Sequence, residues 1–156
     1  MIKCEFEHGA KAKLRHVTSD TIMVKDGKIL MAKRVQTDVE GGKWCLPGGY
    51  MERDENIYEA AIRETKEETG WDVTDQVLIA IATGPNSPGD DRQNVKFVFT
   101  ARPVAETGKA DHESTERRWF PLDQLPAPEQ IAFDHAYFIG LYLKLQSHPQ
   151  PLPIIS

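Results

Sequence analysis

The stretch GYMERDENIYEAAIRETKEETGW, residues 49–71, determines how the rest of the chain is interpreted. Its pattern predicts a helix from Asp54, which can cap the helix N-terminus, to Thr69, with Gly70 at a left-handed stop. At about 100° per residue, one face is apolar in its first half and acidic in its second: Ile57, Ala60, Ala61, Glu64, Glu67 and Glu68. A second, mostly apolar stripe of the helix consists of Tyr58, Ile62, Thr65 and Thr69. The remaining positions, which are predicted to face solvent, are Glu59, Arg63 and Lys66.

Three glutamates on a partly buried helix face require a cation. Like charges four positions apart destabilise a helix by about 0.2–0.5 kcal/mol even when they are exposed, and burial increases that cost. Carboxylate oxygens without a nearby His or Cys are ligands typical of Mg²⁺ or Mn²⁺ rather than zinc. On these residues alone, a solvated acidic helix end stays open as the alternative.

The flanking segments predict strands on both sides of this helix. Apolar runs at residues 21–25 and 28–32 flank Asp26-Gly27, a dipeptide that suits a type I′ hairpin turn. Further elements follow in the order strand, strand, short strand and helix: residues 77–82, 95–100, 118–120 and 133–146. This order predicts an α/β (α+β) sandwich, with a mixed β-sheet between helices.

The quoted segment resembles the signature of the Nudix hydrolase family. That signature is Gly, five residues, Glu, seven residues, then Arg-Glu-U-x-Glu-Glu-x-Gly-U, where U is a bulky apolar residue. Every fixed residue is present at its spacing, and the departure is Thr65 at the first U position. The likeness extends from about Val17 to Leu145. It implies one Nudix-type α/β/α domain over residues 1–156, with an N-terminal arm or strand at 1–12 and a Pro-rich tail at 149–156.

The resemblance also implies a metal centre on the helix, holding Mg²⁺, for which Mn²⁺ can substitute. Its ligands would be one main-chain carbonyl and three carboxylates: those of Gly48, Glu64, Glu67 and Glu68. Arg63 would orient the glutamates through a salt bridge, and Glu55 would support the loop before the helix. The implied reaction is hydrolysis of a phosphoanhydride bond by water that the metal activates. For the catalytic base, Glu113 is preferred over Glu116.

Substrate choice depends on the loops around this centre. The polar loop at residues 83–94 contains Pro85, close to where ADP-ribose pyrophosphatases of the family carry a proline, and residues 131–135 also resemble such members. His135 itself is expected to start or pack the last helix. The candidate substrate contacts are two arginines for phosphate and two aromatic residues for the base: Arg34, Arg92, Trp44 and Phe99. ADP-ribose or a similar nucleotide sugar is therefore the expected substrate.

Two other functions stay open at this point. A nucleoside triphosphate pyrophosphatase that removes modified nucleotides would carry the same signature, but would release a nucleoside monophosphate and pyrophosphate. A non-catalytic, nucleotide-sensing Nudix-like domain would bind its ligand without turnover. The four glutamates of the signature are intact, which favours an enzyme over a sensor.

The composition bears on partners and location. The formal net charge of the 156 residues is −5, whereas a nucleic-acid-binding surface normally carries a basic excess. No apolar run approaches the roughly 20 residues that cross a bilayer, and the charged N-terminus does not match a signal peptide. Two cysteines are too few for a disulfide-built secreted fold. We expect a cytoplasmic enzyme with a small nucleotide substrate, no nucleic-acid polymer and no membrane partner, and a homodimer as in many relatives.

Overall fold

The computed structural model describes residues 1–85, 92–112 and 114–156. Within these residues the strands are β1 (Ile2–Glu5), β2 (Lys11–Leu14), β3 (Val17–Lys25), β4 (Lys28–Arg34), β5 (Trp44–Cys45), β6 (Gly48–Tyr50), β7 (Trp71–Ala82), β8 (Val95–Glu106), β9 (Ser114–Pro121) and β10 (Ile154–Ile155). The α-helices are α1 (Ile57–Thr69) and α2 (His135–Ser147), and a short 3₁₀ helix spans Pro128–Gln130.

The large sheet is mixed, as predicted. Its strand order is β10-β7-β8-β3-β4-β5, with β6 also paired to β3 and β9 to β4. The pairs β3–β8 and β7–β10 are parallel, and the other pairs are antiparallel. The turn between β3 and β4 has φ of 49° at Asp26 and 68° at Gly27, which confirms the predicted hairpin.

The two α-helices cover opposite faces of this sheet. Alternate residues of a strand point to opposite sides. Val98 of β8 packs into the main core cluster together with Phe138 of α2. The next residue, Phe99, instead lies 5.0 Å from the ring of Tyr58 in α1. The layers are therefore helix, sheet and helix, and the predicted α/β/α sandwich is confirmed.

Helix α1 begins later than predicted, and its N-cap is Asn56 rather than Asp54. The Asn56 side-chain oxygen accepts hydrogen bonds from the amides of Tyr58 and Glu59 at 3.0 and 3.1 Å. The Glu59 carboxylate accepts one in return from the Asn56 amide at 2.8 Å. This reciprocal capping box favours Asn56, because it satisfies helix donors from both sides. The predicted stop at Gly70 is confirmed by its φ of 79°.

The C-terminal half of the chain also departs from prediction. Helix α2 starts at His135 rather than Phe133, because Phe133 has φ of 55°, outside the helical region. Residues 1–12 contribute to the hairpin β1–β2, which forms a separate two-stranded sheet. In the Pro-rich tail, β10 adds a short parallel strand beside β7. The described part of the chain contains no helix long and apolar enough to span a membrane.

Candidate active site

Arg63 connects the acidic residues of α1 to the loop before it. The guanidinium donates to both oxygens of Glu55 at 3.0 and 2.7 Å, and to Glu64 and Glu67 at 2.8 and 3.0 Å. A fifth hydrogen bond runs to the main-chain oxygen of Tyr50 at 2.9 Å, so all five N–H donors are used. The Arg63 side chain is 25% exposed, and its assignment to the solvent side of the helix was therefore wrong.

Glu55 is the acidic residue most tightly held by Arg63. The hydrogen bonds from Arg63 keep the pKa of the Glu55 carboxyl below its ordinary value, and the Glu52 amide adds a further hydrogen bond at 2.6 Å. The Glu55 side chain is 14% exposed. It therefore stays ionised near neutral pH and anchors the loop that leads into α1.

Gly48 and Gly49 bring the backbone of β6 against the carboxylates of α1. The Gly48 amide donates to the Glu68 carboxylate at 2.9 Å. A Cβ atom on Gly49 would lie 2.5 Å from the carboxyl carbon of Glu64, closer than real Cβ atoms approach another heavy atom. A side chain at residue 49 would therefore displace the Glu64 carboxylate, and two of the three glutamates lie against the Gly48-Gly49 segment.

A cavity of about 590 Å³ lies next to this segment. Its size is within the roughly 300–1,000 Å³ typical of small-molecule sites. It is lined by acidic, basic and aromatic side chains from β3, β4, β6, α1, β8 and the start of α2, among them Thr18, Asp20, Arg34, Tyr50, Glu64, Glu68, Lys96, Phe133 and His135. A cavity of this composition can bind a ligand that combines an aromatic base with phosphate groups.

The donor set of the site fits a hard divalent cation. Carboxylate oxygens and a main-chain carbonyl are the ligands that such ions take, and Glu64 and Glu68 both line the cavity beside Gly48. Among the residues that the structure describes, no three carboxylate, imidazole or thiol groups are gathered as a metal site. The guanidinium of Arg63 contacts Glu64 and Glu67 together and compensates their charge.

Several predicted site residues lie together, and two do not belong to the site. The residues that line the cavity are Arg34, Gly48, Glu64, Glu68 and Arg92. Glu67, with its side chain 52% exposed, contacts Arg63 from the solvent side. Trp44 and Phe99 require correction, because Trp44 packs edge-on against Phe120 in the core and Phe99 is fully buried. Neither ring has a free face for a base. Glu113 lies outside the described residues.

Tyr50 and Phe133, which the sequence interpretation missed, are the aromatic residues lining the cavity. The guanidinium of Arg92 lies 5.8 Å from the Tyr50 ring centroid, and that of Arg34 lies 5.1 Å from the Phe133 ring centroid. Tyr50 directly follows Gly49 and was a detectable candidate. The positive φ of Phe133 is uncommon for a bulky side chain, and no local sequence signal indicated it.

Cys45 is a buried, free cysteine in the wall of the cavity. Burial raises the pKa of its thiol to about 12, and the neighbouring Glu68 carboxylate acts in the same direction. The thiol donates to the main-chain oxygen of Ala32 at 3.4 Å. It is therefore protonated at neutral pH, which disfavours it as a nucleophile.

The family of the chain is decided by a match that includes the whole signature. A family model described as NUDIX domain matches residues 14–142, which is most of the 156 residues. The chain belongs to the Nudix hydrolase family. It is thus an enzyme, a Nudix pyrophosphohydrolase, and three residues of its signature, Gly49, Glu64 and Glu68, line the cavity.

Individual relatives of this Nudix hydrolase differ in their named substrates. An ADP-ribose pyrophosphatase of Methanocaldococcus jannaschii is 36% identical over 129 residues, covering 82% of this chain and 73% of the relative. The human 8-oxo-dGDP phosphatase NUDT18 is 33% identical over 146 residues, covering 88% of this chain but only 42% of the human protein. The crystal structure of a Nudix hydrolase from Nitrosomonas europaea superposes with a TM-score of 0.78 at 26% identity, covering 99% of this chain and 91% of that one.

Proposed function

We propose that this Nudix hydrolase uses Mg²⁺ to cleave the pyrophosphate bond of a nucleoside diphosphate derivative, with ADP-ribose or a similar nucleotide sugar as substrate. The observation that carries the proposal is the meeting of Glu64, Glu68 and Gly48 at one cavity, with the arginine Arg34 in the same cavity. Carboxylates suit the ion and arginine suits phosphate oxygens. A neutral ligand would need neither a metal ion on these carboxylates nor an arginine to compensate its charge.

The metal would be held by one carbonyl and three carboxylates: those of Gly48, Glu64, Glu67 and Glu68. When bound, a divalent ion supplies positive charge for the diphosphate oxygens and makes water more acidic. Arg63 orients Glu64 and Glu67 through ion pairs, and Glu55 holds Arg63 from the opposite side. Glu113 stays our predicted base.

The remainder of the cavity would bind the nucleoside. Phe133 and Tyr50 replace Trp44 and Phe99 as our candidates for stacking on the base, since both line the cavity. Arg34 lies against the Phe133 ring and also donates to the main-chain oxygen of Val39 at 2.7 Å, so its guanidinium is already oriented. Such an arginine can bind a phosphate with little further loss of side-chain freedom.

ADP-ribose is preferred because the relative with that named activity is matched over most of its own length. The second candidate is an oxidised nucleotide such as 8-oxo-dGDP, which is supported by the likeness to NUDT18. That protein is matched over less than half its length, so its activity transfers less directly. The two candidates differ in their products. ADP-ribose would give AMP and ribose 5-phosphate, whereas 8-oxo-dGDP would give the monophosphate and inorganic phosphate.

A substrate panel tests the proposal. The purified protein would be incubated with Mg²⁺ and ADP-ribose, GDP-mannose, NADH, diadenosine polyphosphates, and normal and oxidised dNTPs and dGDP, with products separated by ion exchange. We expect AMP and ribose 5-phosphate from ADP-ribose, and a fall in kcat/KM of at least about 100-fold in Glu68→Gln. The control variant Glu129→Gln changes an exposed glutamate outside the cavity lining and should retain activity. Turnover that survives EDTA, or no turnover with either Mg²⁺ or Mn²⁺, would contradict the proposal.

A further inference from the structure

Asp20 is a buried carboxylate outside the Nudix signature, and it lies beside the predicted metal ligands. It is 7% exposed, lines the cavity, and pairs with Gly48 across the β3–β6 ladder. Its Oδ1 atom is 2.9 Å from where a Cβ on Gly48 would be. The Glu68 carboxylate accepts from the amide of the same glycine. Two buried acidic side chains thus approach Gly48 from different elements, one from β3 and one from α1.

The contact between Asp20 and His135 compensates this buried charge only weakly. His135 Nδ1 accepts a hydrogen bond from the Leu46 amide at 2.9 Å, so the proton of the neutral ring is on Nε2. That Nε2 lies 3.4 Å from Asp20 Oδ1, longer than the roughly 2.7–3.2 Å of a good hydrogen bond. A buried carboxylate normally has strong hydrogen bonds or a cation. Asp20 therefore has capacity for a further positive partner.

A second buried polar group, the Thr18 hydroxyl, lies at the same face. Thr18 precedes Asp20 by two positions on β3, so both side chains point to the same side of the strand. Both line the cavity, and Thr18 is 8% exposed. Within the described residues, its hydroxyl has no hydrogen-bond partner. The face of β3 that borders Gly48 therefore carries a carboxylate and a buried hydroxyl next to the cavity.

We propose that Asp20 is a further carboxylate of the divalent-ion site, contributed by β3 and oriented by His135. The inference rests on the proposed metal-dependent function and extends it to a residue outside the signature. A cation is favoured over a substrate hydroxyl because Asp20 and Glu68 meet at the same glycine. A negative diphosphate would be repelled from that position unless positive charge lay between it and the two carboxylates.

Mn²⁺ affinity tests this role without depending on turnover. The 156-residue protein would be titrated with Mn²⁺ and followed by electron paramagnetic resonance, in which the free ion gives the sharp signal. We expect Asp20→Asn to raise the Kd for Mn²⁺ about tenfold or more. Asp38→Asn is the matched control. It removes the same charge from another carboxylate of the cavity, one that contacts Arg34 at 3.4 Å, and should change the Kd less than about twofold.

Thermal unfolding in EDTA separates metal binding from a structural role. Removing a weakly compensated buried charge should leave the Tm of metal-free Asp20→Asn unchanged or raise it, and Mn²⁺ should then raise the Tm less than in the unsubstituted protein. If Asn is not tolerated, Asp20→Ser offers a smaller uncharged side chain for the same two measurements.

An unchanged Mn²⁺ Kd in the Asp20 variant, with or without a higher KM, would overturn the inference. A Kd that rises equally in Asp38→Asn would also overturn it, since the effect would then be general to the cavity charge. Glu68→Gln distinguishes a failure of this inference from a failure of the proposed metal site. If Glu68→Gln weakens Mn²⁺ binding and Asp20→Asn does not, the proposed function stands and only this inference fails. If neither variant changes Mn²⁺ binding, the proposed metal site itself is wrong.

Discussion

Replacing Arg63 with Met should destabilise the protein strongly when no metal is bound. The substitution keeps an apolar side chain of similar length but removes all five hydrogen bonds of the guanidinium. Two carboxylates with little exposure, Glu55 and Glu64 at 14% and 15%, would then lose their cation. Glu67 is 52% exposed, so water can replace its contact at little cost.

The size of the effect follows from these exposures. Hydrogen bonds to charged groups contribute about 1.5–3 kcal/mol each when they are shielded from water, and an unpaired buried charge costs about 3–5 kcal/mol. Because the Arg63 side chain is 25% exposed, we expect the free energy of unfolding to fall by about 3–4 kcal/mol in total. For a domain of this size each kcal/mol corresponds to about 2–4 °C. The Tm should therefore fall by at least about 6 °C.

The assay is thermal unfolding followed by circular dichroism, at pH 7 in EDTA. Arg63→Lys should give an intermediate Tm, because lysine keeps the charge but has three donors on one atom instead of the planar five. The control is Arg102→Met, which removes an arginine that is 64% exposed and bound to Asp75 at 2.8 Å. A surface pair of that kind contributes about 0–1 kcal/mol.

The pH dependence gives a second readout with a defined sign. Arg63 lowers the pKa of Glu55 in the folded state from its ordinary value of 4.5. The stability from this pair is therefore fully present above pH 4.5, and is lost as pH falls toward the lower folded pKa. The Tm difference between the unsubstituted protein and Arg63→Met should be constant from pH 6 to 8 and narrow below about pH 4.5. A Tm difference of less than about 2 °C between the unsubstituted protein and Arg63→Met at pH 7 would contradict the stabilising role of Arg63.

Three further predictions concern local geometry. Gly49→Ala should reduce kcat/KM about 100-fold by displacing Glu64, while circular dichroism at 20 °C stays unchanged; an active variant would contradict the close approach. Asn56→Ala should lower the free energy of unfolding by about 1 kcal/mol in urea titrations. Asp54→Gly, which suits the φ of 70° at that residue, should not, and the reverse ranking would restore Asp54 as the cap. Cys45, with its thiol pKa raised to about 12, should resist a disulfide reagent at pH 8 until the protein is unfolded. Reaction of both Cys4 and Cys45 in the native protein would show that Cys45 is not buried.

Local patterns in the sequence predicted most of the fold. The turn at Asp26-Gly27 follows from the backbone freedom of those two residues, and the stop at Gly70 follows from a left-handed conformation that glycine adopts without cost. Helix α1 follows from its periodicity. Its start was misplaced, because Asp54 and Asn56 are both capping residues and the choice depends on which one a reciprocal partner completes.

Helical periodicity assigned the exposure of Arg63 and Ile62 wrongly. A helical wheel places a residue by its Cα direction, but the long Arg63 side chain extends back to Glu55 and Tyr50. Ile62, predicted on an apolar stripe, is 43% exposed. A helical wheel alone does not show which sectors of a helix are covered by other elements of the fold.

The sequence by itself determined the family, the layered fold, and the acidic helix face with its associated glycines, because each depends on spacing within a short segment. Only the tertiary structure decided which aromatic residues are accessible. Trp44 and Phe99 are in the core, whereas Tyr50 and Phe133 line the cavity. It also brought Asp20 and His135, which are far apart in the chain, together beside Gly48. Contacts of this kind depend on strand pairing and helix docking, and no local pattern of residues specifies them.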